Sequence, residues 1–197
     1  MGKKSARQLW AQKIAGKLPP QKADEPAGFG RAEPFKGIVM GVDPSLRGTG
    51  LAILEFRGRE EMTLLASRTV KLKANLSFVD CLGAIAGAVT ELLARHAVES
   101  VSMEQTIYVQ NVRTAQLLGA ARGAAIAAIA TRKIPVAEYP PLRIKQAVVG
   151  FGRASKEQVS RTVQSMLRLE ACLGADESDA AAAAICHAFT SGKVALR

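Results

Sequence analysis

Between Ile38 and Leu54 the chain runs apolar, stops at an acid, turns, and runs apolar again. Ile38 to Val42 is apolar and rich in β-branched residues, a pattern that suits a buried strand. Asp43 ends it. Pro44, Ser45, Gly48 and Gly50 are turn residues, and Leu51 to Leu54 resumes the apolar run. Arg57 to Glu60 then reads as a hairpin loop and Met62 to Val70 as a third strand. From 76 to 96 the period becomes helical, with Leu76, Val79, Leu82, Ile85, Ala86, Val89, Leu92 and Leu93 on one broad face. Ala97 to Met103 is a short strand that ends at Glu104. A loop with apolar character follows, from Gln105 to Gln110. Asn111 suits the cap of a helix over about 112–131, whose Ala and Gly content allows close approach to the sheet or to another subunit. Pro135 to Glu138 is another strand, closed by Tyr139-Pro140-Pro141. Arg143 to Val149 reads as a short helix. Ser155 and Gln158 form a capping-box pattern that opens a helix to about Leu169. A final helix runs from near Asp176 to Phe189. Three strands, helix, strand, helix, strand and then helices predict an α/β protein: a mixed five-stranded sheet flanked by helices.

Composition narrows the class. The chain has 197 residues, 48% of them hydrophobic, enough for one domain with a substantial core. Residues 1–37 are Lys-, Pro- and Gly-rich and read as a basic flexible arm; 38–190 is the folded domain and 191–197 a short tail. No apolar run reaches membrane-spanning length, and the N-terminus lacks the pattern of a secretory signal. Cys81, Cys172 and Cys186 show no close pairing and are expected to be reduced core residues of a cytoplasmic protein. The net charge of +10 favours a polyanionic partner. Eight basic against three acidic residues in 1–36 leave +5 there, so half of the excess belongs to the rest of the chain.

Four acids stand out against that charge. Asp43 and Glu104 each follow an apolar strand. Asp176 and Asp179 lie three apart at a helix start and so share a face. Each has an ordinary explanation: Asp43 as the cap of an Asp-Pro turn, the pair as helix-dipole partners. Glu138 ends a strand too and is expected in an ion pair or in solvent. Acids inside a phosphate-binding face repel the ligand unless they hold cations, and carboxylates are the natural ligands of magnesium and manganese. Two such ions about 4 Å apart suit phosphodiester hydrolysis. Two other classes remain open: a sugar-kinase or actin-like phosphotransferase using Asp43 with Gly48-Thr49-Gly50, and a non-catalytic basic DNA-binding module.

The motifs Gly41-Val42-Asp43-Pro44, Arg47, Thr49-Gly50, Met103-Glu104-Gln105, Gln110-Asn111, Leu118 to Gly123, Lys145 to Gly152, and Ala175-Asp176 with Asp179-Ala180 and His187 together resemble one family over about 38–190. It is the RuvC family of Holliday-junction resolvases, which have the ribonuclease-H-like fold. The resemblance implies a homodimeric, Mg2+-dependent endonuclease that places symmetric nicks in a four-way DNA junction, with two ions per site and Mn2+ able to substitute. It implies metal-binding, catalytic roles for Asp43, Glu104, Asp176 and Asp179, and DNA contacts by Lys145 and Lys156. Arg113 and Arg153 are further candidates for the DNA backbone. The helix over 112–131 is the implied dimer element, and the RuvA and RuvB branch-migration proteins are the implied partners. Where the family has phenylalanines in a wedge loop, this chain has Thr106-Ile107-Tyr108-Val109, leaving Tyr108 as the aromatic available for stacking. His187, two turns beyond Asp179, is expected to pack within the last helix or to hydrogen-bond behind the site rather than act in catalysis directly.

Overall fold

The computed structural model describes residues 34–58, 60–105 and 111–191. Most of the arm, Tyr108 and the rest of its loop, and the tail beyond 191 lie outside the described residues. Five strands are present: β1 (Gly37–Asp43), β2 (Gly48–Phe56), β3 (Met62–Lys71), β4 (Ser100–Glu104) and β5 (Val136–Tyr139). The helices are α1 (Phe78–Arg95), α2 (Val112–Ala130), α3 (Pro141–Val149), α4 (Lys156–Met166) and α5 (Ala175–Thr190). The sheet order is β3-β2-β1-β4-β5. The β1–β2 and β2–β3 pairs are antiparallel, and the β1–β4 and β4–β5 pairs are parallel, so the sheet is mixed as its strand order predicts.

Period-two alternation divides β2 between two cores. Ala52 and Leu54 pack with Val39 and helices α3, α4 and α5, while Leu51 and Ile53 pack with Met40, Val42 and helices α1 and α2. Helix α5 is sandwiched, and every residue from Ala180 to Ala188 is buried. A helix buried on all sides so close to a sheet needs small side chains, which the Ala180–Ala184 run supplies. The sheet yields space as well: a methyl group built on Gly41 would lie 1.8 Å from the Ala180 carbonyl oxygen. The buried Ser102 hydroxyl donates to the Ala183 carbonyl at 2.7 Å, fixing the helix along β4.

Several boundaries move for local reasons. Ser77, not Leu76, opens α1, because its hydroxyl accepts from the Asp80 amide. Strand β4 starts at Ser100, since residues 96–98 turn back with the Val98 amide on the His96 carbonyl. Helix α3 begins at Pro141, where a fixed φ and missing N–H suit the first turn. Helix α4 stops at Met166, just before Arg168 takes a positive φ of 53°. Asn111 caps α2 through the Thr114 amide, and Ser155 with Gln158 completes the capping box of α4. One expectation is corrected. Cys81 and Cys186 are buried, but Cys172 is exposed on the α4–α5 connection, where it contacts Gln164 Oε1 at 2.7 Å.

Candidate active site

Parallel pairing of β1 with β4 sets Val42 beside Met103, so the next residues, Asp43 and Glu104, leave the same sheet edge side by side. Helix α5 crosses that edge with its first turn. A cavity of about 310 Å³ lies there, lined by Asp43, Glu104, Asp179, Lys145 and Lys156 with apolar walls from Pro141, Ile144 and Val159. Three of the four acids and two of the expected basic residues thus converge from five different elements.

Asp176 is placed differently. Its carboxylate lies beside the turn, with Oδ2 3.1 Å from a methyl built on Gly48, and its carbonyl oxygen is 1.9 Å from one built on Gly50. It does not line the cavity, yet its charge reaches Asp43. The turn-cap explanation of Asp43 fails on geometry. The turn is tied by Ser45 and Thr49, through the Gly48 amide on Ser45 Oγ at 3.0 Å and the Ser45 amide on Thr49 Oγ1 at 3.3 Å. Arg47 braces it from outside by donating to the Lys73 carbonyl and, at 3.1 Å, to that of Leu76.

The electrostatics follow from this crowding. Burial, then the charges of Asp179 and Glu104, push the Asp43 carboxyl up to about 7, with Asp176 adding to the rise and Lys156 opposing it. Burial and Asp179 raise Glu104 as well, against Lys156 and Lys145. Lys156 Nζ donates to Asp179 Oδ2 at 2.8 Å, and that bond holds the ammonium above its usual range. The lysines therefore compensate the acids only in part. Among the described residues no three His, Cys, Asp or Glu side chains form a ready metal cluster. The donor set nonetheless fits a hard divalent cation: carboxylate oxygens converge, that of Asp43 is driven towards its neutral form by burial and then by its acidic neighbours, and the Lys156 ammonium is bonded to Asp179.

Of the remaining candidates, Arg113 lies away from the acids, in a separate cavity with Arg47 and Phe78. Arg153 is exposed on the turn before α4 and lines neither cavity. His187 is buried, with Nδ1 2.9 Å from the Tyr139 hydroxyl and the Phe35 ring packed edge-on, and burial lowers its pKa. Glu138 forms an ion pair with Arg122. The same guanidinium donates to the Glu104 backbone carbonyl at 2.9 Å. No bracing role for Arg122 is legible from its helical position; the available signals were a basic residue on an Ala/Gly-rich helix and its place within the Leu118–Gly123 motif.

A sequence model of the family described as "Crossover junction endodeoxyribonuclease RuvC" matches residues 39–187. The chain is 41% identical to the protein of that name from Ralstonia pickettii (strain 12J), over 76% of this chain and 82% of the relative. It is 44% identical to the one from Oleidesulfovibrio alaskensis (strain ATCC BAA-1058 / DSM 17464 / G20), over 76% and 89%. Among solved structures, "T. thermophilus RuvC in complex with Holliday junction substrate" matches with a TM-score of 0.75 and 31% identity, covering 79% of this chain and 94% of that one. With the motifs, the mixed sheet and the similarity over residues 39–187 in agreement, this chain belongs to the RuvC family of crossover junction endodeoxyribonucleases.

Proposed function

We propose that this protein is a Mg2+-dependent, structure-specific endonuclease that resolves four-way DNA junctions by symmetric nicks, leaving 5′-phosphate and 3′-hydroxyl ends. The observation that carries the reading is the convergence of Asp43, Glu104 and Asp179 with Lys145 and Lys156 in one cavity. Asp43, Glu104, Asp176 and Asp179 are the residues that would hold magnesium or manganese. When bound, such ions supply activation of a water and relief of charge on the departing 3′ oxygen.

The chain's own groups do the rest. Asp43 and Glu104, fixed by parallel strands, set one wall of the site. Asp179, carried by a helix resting on the sheet backbone, sets the other. Lys145 and Lys156 offer cations to the DNA backbone, contacts that favour binding at low salt but carry no base information. Arg113 and Arg153 extend the DNA contacts outside the cavity, and Tyr108, outside the described residues, is the proposed aromatic contact. Junction shape rather than base sequence then dominates selection.

Paired nicks need two sites related by a twofold axis. Helix α2 suits the dimer contact, because methyl groups built on Gly119 and Gly123 meet no atom within 4 Å, leaving a smooth face. Branch-migration proteins of the RuvA and RuvB type are the proposed partners. The domain spans 38–190, with the basic arm 1–37 added to it and 191–197 as a tail. No helix among the described residues is long and apolar enough to cross a membrane; the proposed location, the cytoplasm, rests on the proposed action on DNA.

The test compares cleavage of a mobile four-way junction and of linear duplex by the parent and by Asp43→Asn. Symmetric, Mg2+-dependent junction nicking, lost in the variant while binding persists, is the expected result. Equal cutting of linear duplex would remove junction specificity. Binding without cleavage in Mg2+ or Mn2+ would leave a non-catalytic junction-binding protein, and ATP turnover without cleavage a phosphotransferase.

A further inference from the structure

Between Asp176 and Asp179 lies a third acid, Glu177, that none of the chemistry above uses. An acid in the first turn of a helix is ordinarily explained by the helix dipole. Its geometry here is more specific. Glu177 Oε2 accepts from the Ser67 hydroxyl at 2.9 Å and Oε1 accepts from the Thr69 hydroxyl at 3.2 Å. Ser67 and Thr69 are two apart on β3 and so present their side chains on one face. Both carboxylate oxygens are thus committed to a strand more than 100 residues earlier in the chain.

That strand is in register with the site. Thr69 pairs with Gly50 on β2, and Gly50 pairs with Asp43 on β1. The carbonyl of Asp176 rests over Gly50. The first turn of α5 therefore spreads over the sheet, with Asp176 on β2 and Glu177 on β3, while Asp179 lines the cavity. No side-chain cap fixes this turn at Gly174; locally it is closed only by the Ser178 amide donating to the Gly174 carbonyl at 2.8 Å. Among the described residues Glu177 forms no ion pair, so its two hydroxyl donors are what hold it.

We propose that Glu177 is a positioning residue: through Ser67 and Thr69 it straps the first turn of α5 to β3 and so sets where Asp176 and Asp179 stand relative to Asp43. The proposal rests on the nuclease reading for its consequence, but not for its geometry. Gln at 177 retains the strap, with one acceptor and one donor for the two hydroxyls, whereas Ala abolishes it.

The experiment uses the full chain, its Glu177→Ala and Glu177→Gln variants, and the double variant Ser67→Ala with Thr69→Val. Hydrogen–deuterium exchange of the segment spanning 175–182 is measured without metal, junction affinity in EDTA, and single-turnover junction cleavage across Mg2+ concentrations. Glu177→Ala is expected to speed exchange in that segment and to raise the half-saturating Mg2+ concentration by about 10-fold or more, the usual effect of removing a group that orients metal ligands. Affinity in EDTA stays unchanged, and Glu177→Gln stays near the parent. The Ser67/Thr69 double variant matches Glu177→Ala, and joining the two adds nothing further. Unchanged exchange in Glu177→Ala, equal damage in Glu177→Gln, or additive effects of the two sets would overturn the strap. Should Glu177→Ala not fold, the Ser67/Thr69 variant carries the same comparison. A parent that fails to cleave defeats the nuclease reading, while the exchange data still decide the strap.

Discussion

The carbonyl oxygen of Asp176 lies so close over Gly50 that a methyl group built on that glycine would stand 1.9 Å away. Helix α5 approaches the sheet as nearly as two backbones allow at this point, and the acids of its first turn inherit their height above β1 and β2 from that approach.

Gly50→Ala is accordingly expected to lift the first turn of α5 and lower junction cleavage by at least about tenfold, with a stability loss of roughly 1–3 kcal/mol, the usual range for overpacking. Gly58→Ala, where an added methyl meets nothing within 4 Å, serves as the control. Urea melts and single-turnover cleavage check both. Parent-like behaviour of Gly50→Ala would mean that α5 moves away without displacing the site.

Asp43 makes the metal-free protein sensitive to pH, and the sign follows from its raised carboxyl, about 7 against 3.8 in an unfolded chain. The folded state holds the proton more tightly, so its contribution to stability is full below about pH 4 and is lost as pH rises to about 7. Asp43→Asn should flatten that decline and be more stable than the parent at pH 8 without divalent ions, by roughly 2–4 kcal/mol. Thermal melts in EDTA from pH 4 to 8 measure it; parallel curves for the two proteins would contradict the raised value.

Lys156 lowers the carboxyls of Asp43 and Glu104 while bonded to Asp179. Lys156→Gln should therefore shift the acid limb of the pH–cleavage profile to higher pH, beyond any weakening of DNA binding. Single-turnover rates at saturating enzyme separate the two effects. A lower rate with an unmoved limb would restrict Lys156 to phosphate contact.

Arg122 joins the Glu104 backbone to the Glu138 side chain, and its own side chain is only 13% exposed. Arg122→Met should destabilise the protein by roughly 1–3 kcal/mol, because the Glu104 carbonyl and Glu138 both lose their donor. Denaturant melts with the Glu138→Gln variant alongside test the coupling: additive losses would show that Arg122 does not link the two.

Sequence by itself determined the strand-turn-strand around Asp43, the caps at Asn111 and Ser155 and the mixed sheet, and it singled out the four acids as candidates. These are local patterns: alternation names the buried face, and short-range hydrogen bonds name the helix starts. The tertiary structure decided how the acids are arranged. Asp176 stands beside Gly48 and Gly50 rather than in the cavity, Lys156 reaches an acid 23 residues away, Arg122 braces Glu104, and Glu177 reaches across to β3. Such contacts depend on where each helix lands on the sheet. That landing follows from the volumes of Gly41, Gly50 and the alanines of α5 acting together, a packing relationship between distant segments that no periodicity along the chain records.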